Sequence, residues 1–159
     1  MAAGSRDLVA ARDLVFEYLA ATQAEAGRAV PAAVDQLPDL LRDECLHLAV
    51  VYAPPGALLL AYAGDVPVGC VGLRPATLPV AVEVKRLYVR PSYQGNGVAR
   101  LLMEYAHRHA VDAGFSRLVL DVMSSRTRVI DFYRRLGYVD AEPTPDAVRY
   151  SMVSLTRRC

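Results

Sequence analysis

A chain of 159 residues suits one compact domain, residues 1–159, with room for a sizeable core, and 53% hydrophobic against 22% charged residues describes a folded protein rather than a disordered one. The 18 Lys and Arg are scattered among 17 Asp and Glu, for a net charge of +1, so no basic face marks a nucleic-acid partner. Cys45, Cys70 and Cys159 are odd in number and lack C-x-x-C spacing, which argues against a disulfide framework or structural zinc and fits a reducing cytoplasm. The greasy region from Leu46 to Leu73 is broken by Pro54-Pro55-Gly56 and Gly64-Asp65, short of the about 20 residues a membrane span needs. Arg6, Asp7, Arg12 and Asp13 do not read as a secretion signal.

In chain order, Leu8, Val15, Tyr18, Leu19 and Thr22 fall near one side of a helix that should stop around Gly27. Residues 28–36 read as a loop. A second helix is expected from near Pro38, carrying Leu37, Leu41, Glu44 and Leu48 at helical spacing and ending at Ala53-Pro54-Pro55-Gly56. Residues 57–63 and 66–73 are apolar runs on either side of Gly64-Asp65, the signature of an antiparallel hairpin. In the strand expected over residues 80–89, Val80, Val82 and Val84 share one parity while Leu87 and Val89 take the other. Either a β-bulge near Lys85 and Arg86 flips the faces, or the strand is buried on both.

Gln94-Gly95-Asn96-Gly97-Val98-Ala99 follows that strand and leads into a helix whose face is expected at Val98, Leu101, Leu102, Tyr105, Ala106 and Ala113, with Gly114 as its stop. Main-chain N–H groups there have no intrahelical partner and lie at the positive end of the helix dipole, and glycine lets a phosphate approach without meeting a Cβ. A phosphate-bearing cofactor is the expectation. Arg100 stands where a dinucleotide fingerprint needs a third small residue, and the Gly-Lys-Ser/Thr of a Walker loop is missing. A strand is expected at residues 117–122, then a last helix capped by Ser124 or Ser125, bearing Val129, Ile130, Tyr133 and Leu136 and stopped by Gly137. Residues 140–147 read as a loop with two prolines, and residues 148–155 as a closing strand.

Val84-Lys85-Arg86-Leu87-Tyr88-Val89-Arg90-Pro91, then Gln94-x-x-Gly97-x-Ala99, then Phe132-Tyr133-Arg134-Arg135-Leu136-Gly137-Tyr138, resembles the GNAT superfamily of acetyl-CoA-dependent N-acetyltransferases over roughly residues 8–155. The resemblance implies an α/β fold with a mixed, largely antiparallel sheet splayed around the cofactor and flanked by about four helices. Many members open with a strand containing Ile-Arg, whereas this chain begins almost at its first helix. Arg126 stands where many relatives carry an asparagine seven residues before the tyrosine.

By the same resemblance, coenzyme A would be held by the main chain of Leu87, Tyr88 and Val89 along its pantetheine arm, and by Gln94, Gly95, Asn96, Gly97, Val98 and Ala99 at its pyrophosphate. Arg100 either adds a charge there or is simply solvated. An alkylamine acceptor has a pKa near ~10 and is protonated at neutral pH, so a base or water relay must remove a proton. Glu83 occupies the position of a family glutamate that works through water; the alternative is a surface glutamate paired with Lys85 or Arg86. Leu87 N–H is the expected donor to the oxygen that gains charge, and Tyr133 matches the family tyrosine that protonates the departing thiolate, or is a packing residue beside Val129 and Ile130.

His47, His107 and His109 have no partners at metal-ligand spacing, so no metal is expected, and Cys70 in an apolar strand is a poor nucleophile. Arg126 and Arg128 either decorate a helix or greet an acidic group. The expected reaction is direct acetyl transfer from acetyl-CoA to a primary amine of a small molecule, amino acid or peptide, by a cytoplasmic monomer or homodimer without nucleic-acid or membrane partners. The acceptor would lie between the first two helices and the splayed sheet, among loops such as residues 30–36 and 140–147. A non-catalytic acyl-CoA sensor on the same fold is the alternative.

Overall fold

A computed structural model describes residues 5–159. The order is α1 (Ser5–Glu25), α2 (Asp39–Leu46), α3 (Leu48–Val51), β1 (Ala57–Ala63), β2 (Val66–Pro75), β3 (Ala81–Val89), α4 (Val98–Asp112), β4 (Arg117–Met123), α5 (Thr127–Arg135), β5 (Val139–Asp140), α6 (Pro145–Arg149) and β6 (Met152–Arg158). One six-stranded sheet runs β1-β2-β3-β4-β6-β5. Every neighbouring pair is antiparallel except β3–β4 at its centre.

Each face of the sheet buries its own core. On one side α1 presents Ala11, Leu14, Val15 and Leu19, which fall on one helical face, to Leu37, Cys45, Leu48, Tyr52 and Cys70. On the other, Leu102, Met103, Ala106 and Ala110 of α4 and Ile130 and Tyr133 of α5 close over Val71, Leu73, Val82, Val84, Leu118, Leu120 and Leu155. Cys70 faces the first core and Val71 the second, as strand alternation requires. Tyr52 packs so tightly against β2 that a Cβ built on Gly72 would lie 2.3 Å from its ring. The α1, α4 and α5 helices stop as expected, at Gly27, Gly114 and Gly137, with φ of 67°, 81° and 87°.

Several local expectations need correction. The second helix is two short ones, α2 and α3, separated at His47. Val80 lies outside β3, is exposed and has φ of 52°. The buried face of α4 includes Met103 and Ala110, whereas Leu101 and Tyr105 point to solvent. Arg126, not Ser124 or Ser125, precedes α5, and no side chain caps it. Residues 140–147 are more than a loop: β5 ends at Asp140 and Pro145 opens α6, where Thr144 Oγ1 accepts from Ala147 N–H at 3.0 Å. The closing strand begins at Met152. The four expected helices, α1, α2, α4 and α5, are joined by α3 and α6, of four and five residues.

Candidate active site

The centre of the sheet comes apart. β3 pairs with β4 only at Ala81, Val82 and Glu83, against Arg117, Leu118 and Val119. Beyond this seam β3 stays with β2 and β4 with β6. A cavity of about 490 Å³ lies along the gap, lined by Leu87, Val89, Gln94, Ala99, Val122 and Tyr133 among others. A second, of about 750 Å³, is lined by Arg74, Glu83, Glu142, Thr144, Asp146 and Ser154 among others. Lys85, Arg86, Leu120, Asp121 and Met152 border both, so the two meet at the parting strands.

The irregularity of β3 is a bulge. Gly72 pairs with Lys85 and Cys70 with Tyr88, so Val71 alone stands opposite Arg86 and Leu87. Arg86 sits at φ of 57°. The extra residue inverts the side-chain parity: Val82 and Val84 enter the α4 core before it, Leu87 and Val89 after it, and Tyr88 turns to the α1 core. A left-handed conformation costs an arginine about 1–2 kcal/mol, and its surroundings hold it there. Its guanidinium donates to Glu44 from Nε at 2.8 Å and Nη2 at 2.7 Å, Tyr52 O–H donates to Glu44 at 2.7 Å, and Cys70 Sγ donates to the Arg86 carbonyl at 3.4 Å. Burial pushes the Glu44 carboxyl up, but the Arg86 and Tyr52 hydrogen bonds and the Arg86 charge bring it below the usual carboxylate range.

Gly95 and Gly97 both adopt φ of 80°, and a Cβ on either would meet no atom of the protein within 4 Å. Backbone conformation, not internal packing, therefore selects glycine at both positions. The first α-helical bond of α4 runs from Leu101 N–H to the Gly97 carbonyl at 3.0 Å. Among the described residues, the N–H groups of Gly95 to Arg100 meet no backbone acceptor. Gln94 Nε2 donates to the Val89 carbonyl at 2.9 Å, clipping the turn to the end of β3. Arg100 is exposed and donates to Glu104 at 3.0 Å, a solvated helix pair.

Glu83 lines the larger cavity with both carboxylate oxygens engaged: Arg74 Nε lies 2.8 Å from Oε2 and Lys85 Nζ 2.8 Å from Oε1. Burial raises its carboxyl, and these two cations more than reverse the effect, leaving it below the usual range. Of the two partners the sequence offered, Lys85 is there; Arg86 belongs to Glu44 instead.

Tyr133 lies across the gap on α5, 5% exposed, with edge-on rings of Phe132 and Tyr138 each 5.4 Å from its own. Burial foremost raises its phenol well above the ordinary value. Arg126 lines the same cavity but spans to α1, donating to Glu25. Burial pushes the Cys70 thiol up to about 12, far from nucleophilic character. His47, His107 and His109 each hydrogen-bond a main-chain carbonyl. Among the described residues no three His, Cys, Asp or Glu gather to hold a metal, and no helix is long and apolar enough to cross a membrane.

Sequence reasoning passed over Asp121 and Arg74, and read Glu44 only as part of a helix face. Asp121 had a signal: it is the lone acid of β4 and the one polar residue between Leu118 and Met123. Ser154 Oγ donates to its Oδ1 at 2.5 Å and Thr144 Oγ1 to its Oδ2 at 2.8 Å.

A mostly antiparallel sheet parted around a groove, with a bulged strand running into a glycine turn and a helix, defines the fold of the GNAT acetyltransferases. The profile of the acetyltransferase (GNAT) family matches residues 19–138, and the chain belongs to that family. An uncharacterized N-acetyltransferase of Schizosaccharomyces pombe is 30% identical over 103 residues, 64% of this chain and 63% of its own length. The IAA acetyltransferase of Azospirillum brasilense is 32% identical over 98 residues, 62% of this chain and 64% of its own. The match thus spans just under two thirds of either relative. The crystal structure of the PaiA N-acetyltransferase from Thermoplasma acidophilum in complex with coenzyme A superposes with a TM-score of 0.73, covering 100% of this chain and 97% of that one. At 16% identity this is a likeness of fold.

Proposed function

We propose that residues 1–159 act as a single-domain N-acetyltransferase that uses acetyl-CoA to acylate a primary amine of a small molecule, amino acid or peptide. The observation that carries this reading is the continuity of bulge, groove and turn. The cavity along the β3–β4 gap begins beside Arg86 and Leu87 and reaches Gln94 and Ala99, where the open N–H groups lie. These residues fit coenzyme A: the amides of Gly95 to Arg100 would receive the pyrophosphate, and the main chain of Leu87, Tyr88 and Val89 the pantetheine amides.

Acetyl-CoA supplies an acetyl group activated as a thioester. The rest of the chemistry falls to this chain. Glu83, ionised at neutral pH, would draw a proton from the amine through water. The Leu87 N–H, set in the bulge beyond the paired register, would donate to the oxygen that gains negative charge. Tyr133, kept protonated by burial, would hold a proton for the departing sulfur.

One observation favours a second reading, an acyl-CoA-binding module without turnover: both oxygens of Glu83 already hold cations. A thermal-shift titration with acetyl-CoA, paired with thiol release over a panel of amines, separates the two. A raised melting temperature with thiol release supports the enzyme, and the same shift without release on any amine supports the sensor. Calorimetry detecting no uptake of acetyl-CoA ends both.

A further inference from the structure

We propose that Asp121 is the counter-charge that seats the acceptor, and that the acceptor is therefore an alkylammonium compound rather than an uncharged arylamine. This rests on the acetyltransferase reading and names its substrate class. Asp121 stands on β4 two residues beyond Val119, whose pairing with Glu83 ends the seam, and it borders both cavities. It lies where the larger cavity opens onto the groove.

The cations around this junction are already matched except Arg128, and the other acids of the larger cavity, Glu142 and Asp146, are solvent-exposed. Arg74 and Lys85 hold Glu83, Arg86 holds Glu44, and Arg126 holds Glu25. Arg128, at the smaller cavity, is solvent-exposed. Asp121 differs from Glu83 in kind: among the described residues no Lys, Arg or His nitrogen lies within ion-pair distance of it. Its two partners are neutral hydroxyls, which fix the direction of both oxygens without cancelling the charge.

Those hydroxyls are themselves held. Ser154 is 6% exposed and stands opposite Asp121 in the β4–β6 register. Its Oγ accepts from Thr144 N–H at 3.3 Å, while Thr144 Oγ1 accepts from Ala147 N–H at the start of α6. The carboxylate is thus oriented from the neighbouring strand and from α6, as a preorganised binding group requires. A half-buried, directed and unmatched negative charge favours a cation, and a protonated alkylamine brings one.

The test follows thiol release from acetyl-CoA at neutral pH with benzylamine and butylamine, which are cationic there, and with aniline, which is not. Wild type is expected to accept the alkylamines in preference to aniline. Asp121→Asn, nearly isosteric, should raise the alkylamine KM by about 10- to 100-fold with a smaller change in kcat, the scale of one lost charge-assisted hydrogen bond. Asp121→Glu should recover part of the loss, and the melting shift produced by acetyl-CoA should be the same in all three proteins. An unchanged KM in the Asn variant overturns the proposal. So does aniline accepted as readily as benzylamine, or refusal of every alkylamine by a protein that acetyl-CoA still stabilises. Absence of any acetyl-CoA shift in wild type would instead bring down the acetyltransferase reading, and this inference with it.

Discussion

Replacing Arg86 with alanine isolates the contact that holds the bulge. The pair it forms with Glu44 is bidentate, at 2.8 and 2.7 Å, and the two side chains are 16% and 11% exposed. Removing one member leaves the other as an uncompensated charge, and for buried pairs this costs about 3–5 kcal/mol. Tyr52 O–H still donates to Glu44 in the variant and offsets about 1 kcal/mol. Arg86→Ala should therefore lose about 2–4 kcal/mol, a large part of a stability of order 5–15 kcal/mol. Arg86→Gly loses the same pair but removes the left-handed strain at φ of 57°, returning about 1–2 kcal/mol. Urea unfolding of the three proteins by circular dichroism, at equal slope, measures both differences. A loss under about 1 kcal/mol for the alanine variant, or a glycine variant no more stable than alanine, would refute the idea that Glu44 holds a strained backbone in place.

Gly97→Ala should cost about 1–2 kcal/mol through its φ alone, since the new methyl meets no atom of the protein, and it should also shrink the melting shift given by acetyl-CoA; an undiminished shift would count against that turn as the pyrophosphate seat. Glu83→Gln and Tyr133→Phe should each slow thiol release, by about 10²- to 10⁴-fold for a true acid or base, while leaving the acetyl-CoA shift intact. Full turnover in either variant removes that residue from the mechanism. Glu44 titrates below its ordinary 4.5 in the folded protein, so the stability its pairing supplies is complete above that value and is lost as pH falls through the lowered one. Glu44→Gln should accordingly be less stable than wild type at neutral pH and approach it in acid, and parallel stability curves from urea midpoints across that range would contradict the assignment.

What could be read from the chain was what neighbouring residues decide. Gly64-Asp65 between two apolar runs specifies a hairpin, and the change of parity between Val84 and Leu87 is the bulge written in the pattern of side chains. The face of α4 was harder, because Val98, Leu101, Leu102, Met103, Tyr105 and Ala106 put apolar groups around much of its circumference. Only the sheet beneath chooses Met103 and exposes Tyr105. Thr144-Pro145, a cap followed by proline at a first helical position, marked α6, but the surrounding prolines and acids read more strongly as loop. In the site, the glycine turn and Tyr133 carried local signatures, whereas Glu44 and Arg86 meet across 42 residues and Asp121 and Ser154 across 33. Periodicity holds no information about such meetings, which the topology of the sheet creates.

The short seam between β3 and β4 gives the sheet the build of a book. Two three-stranded leaves, β1-β2-β3 and β4-β6-β5, share a spine only three residues long, and beyond it β3 is paired with β2 alone and β4 with β6 alone. A slender chain of amides laid in the gutter would act as stitching, joining leaves that the polypeptide leaves unsewn. Occupancy of the groove and the rigidity of the whole sheet are then linked quantities, so that a ligand seated there tightens residues it never touches.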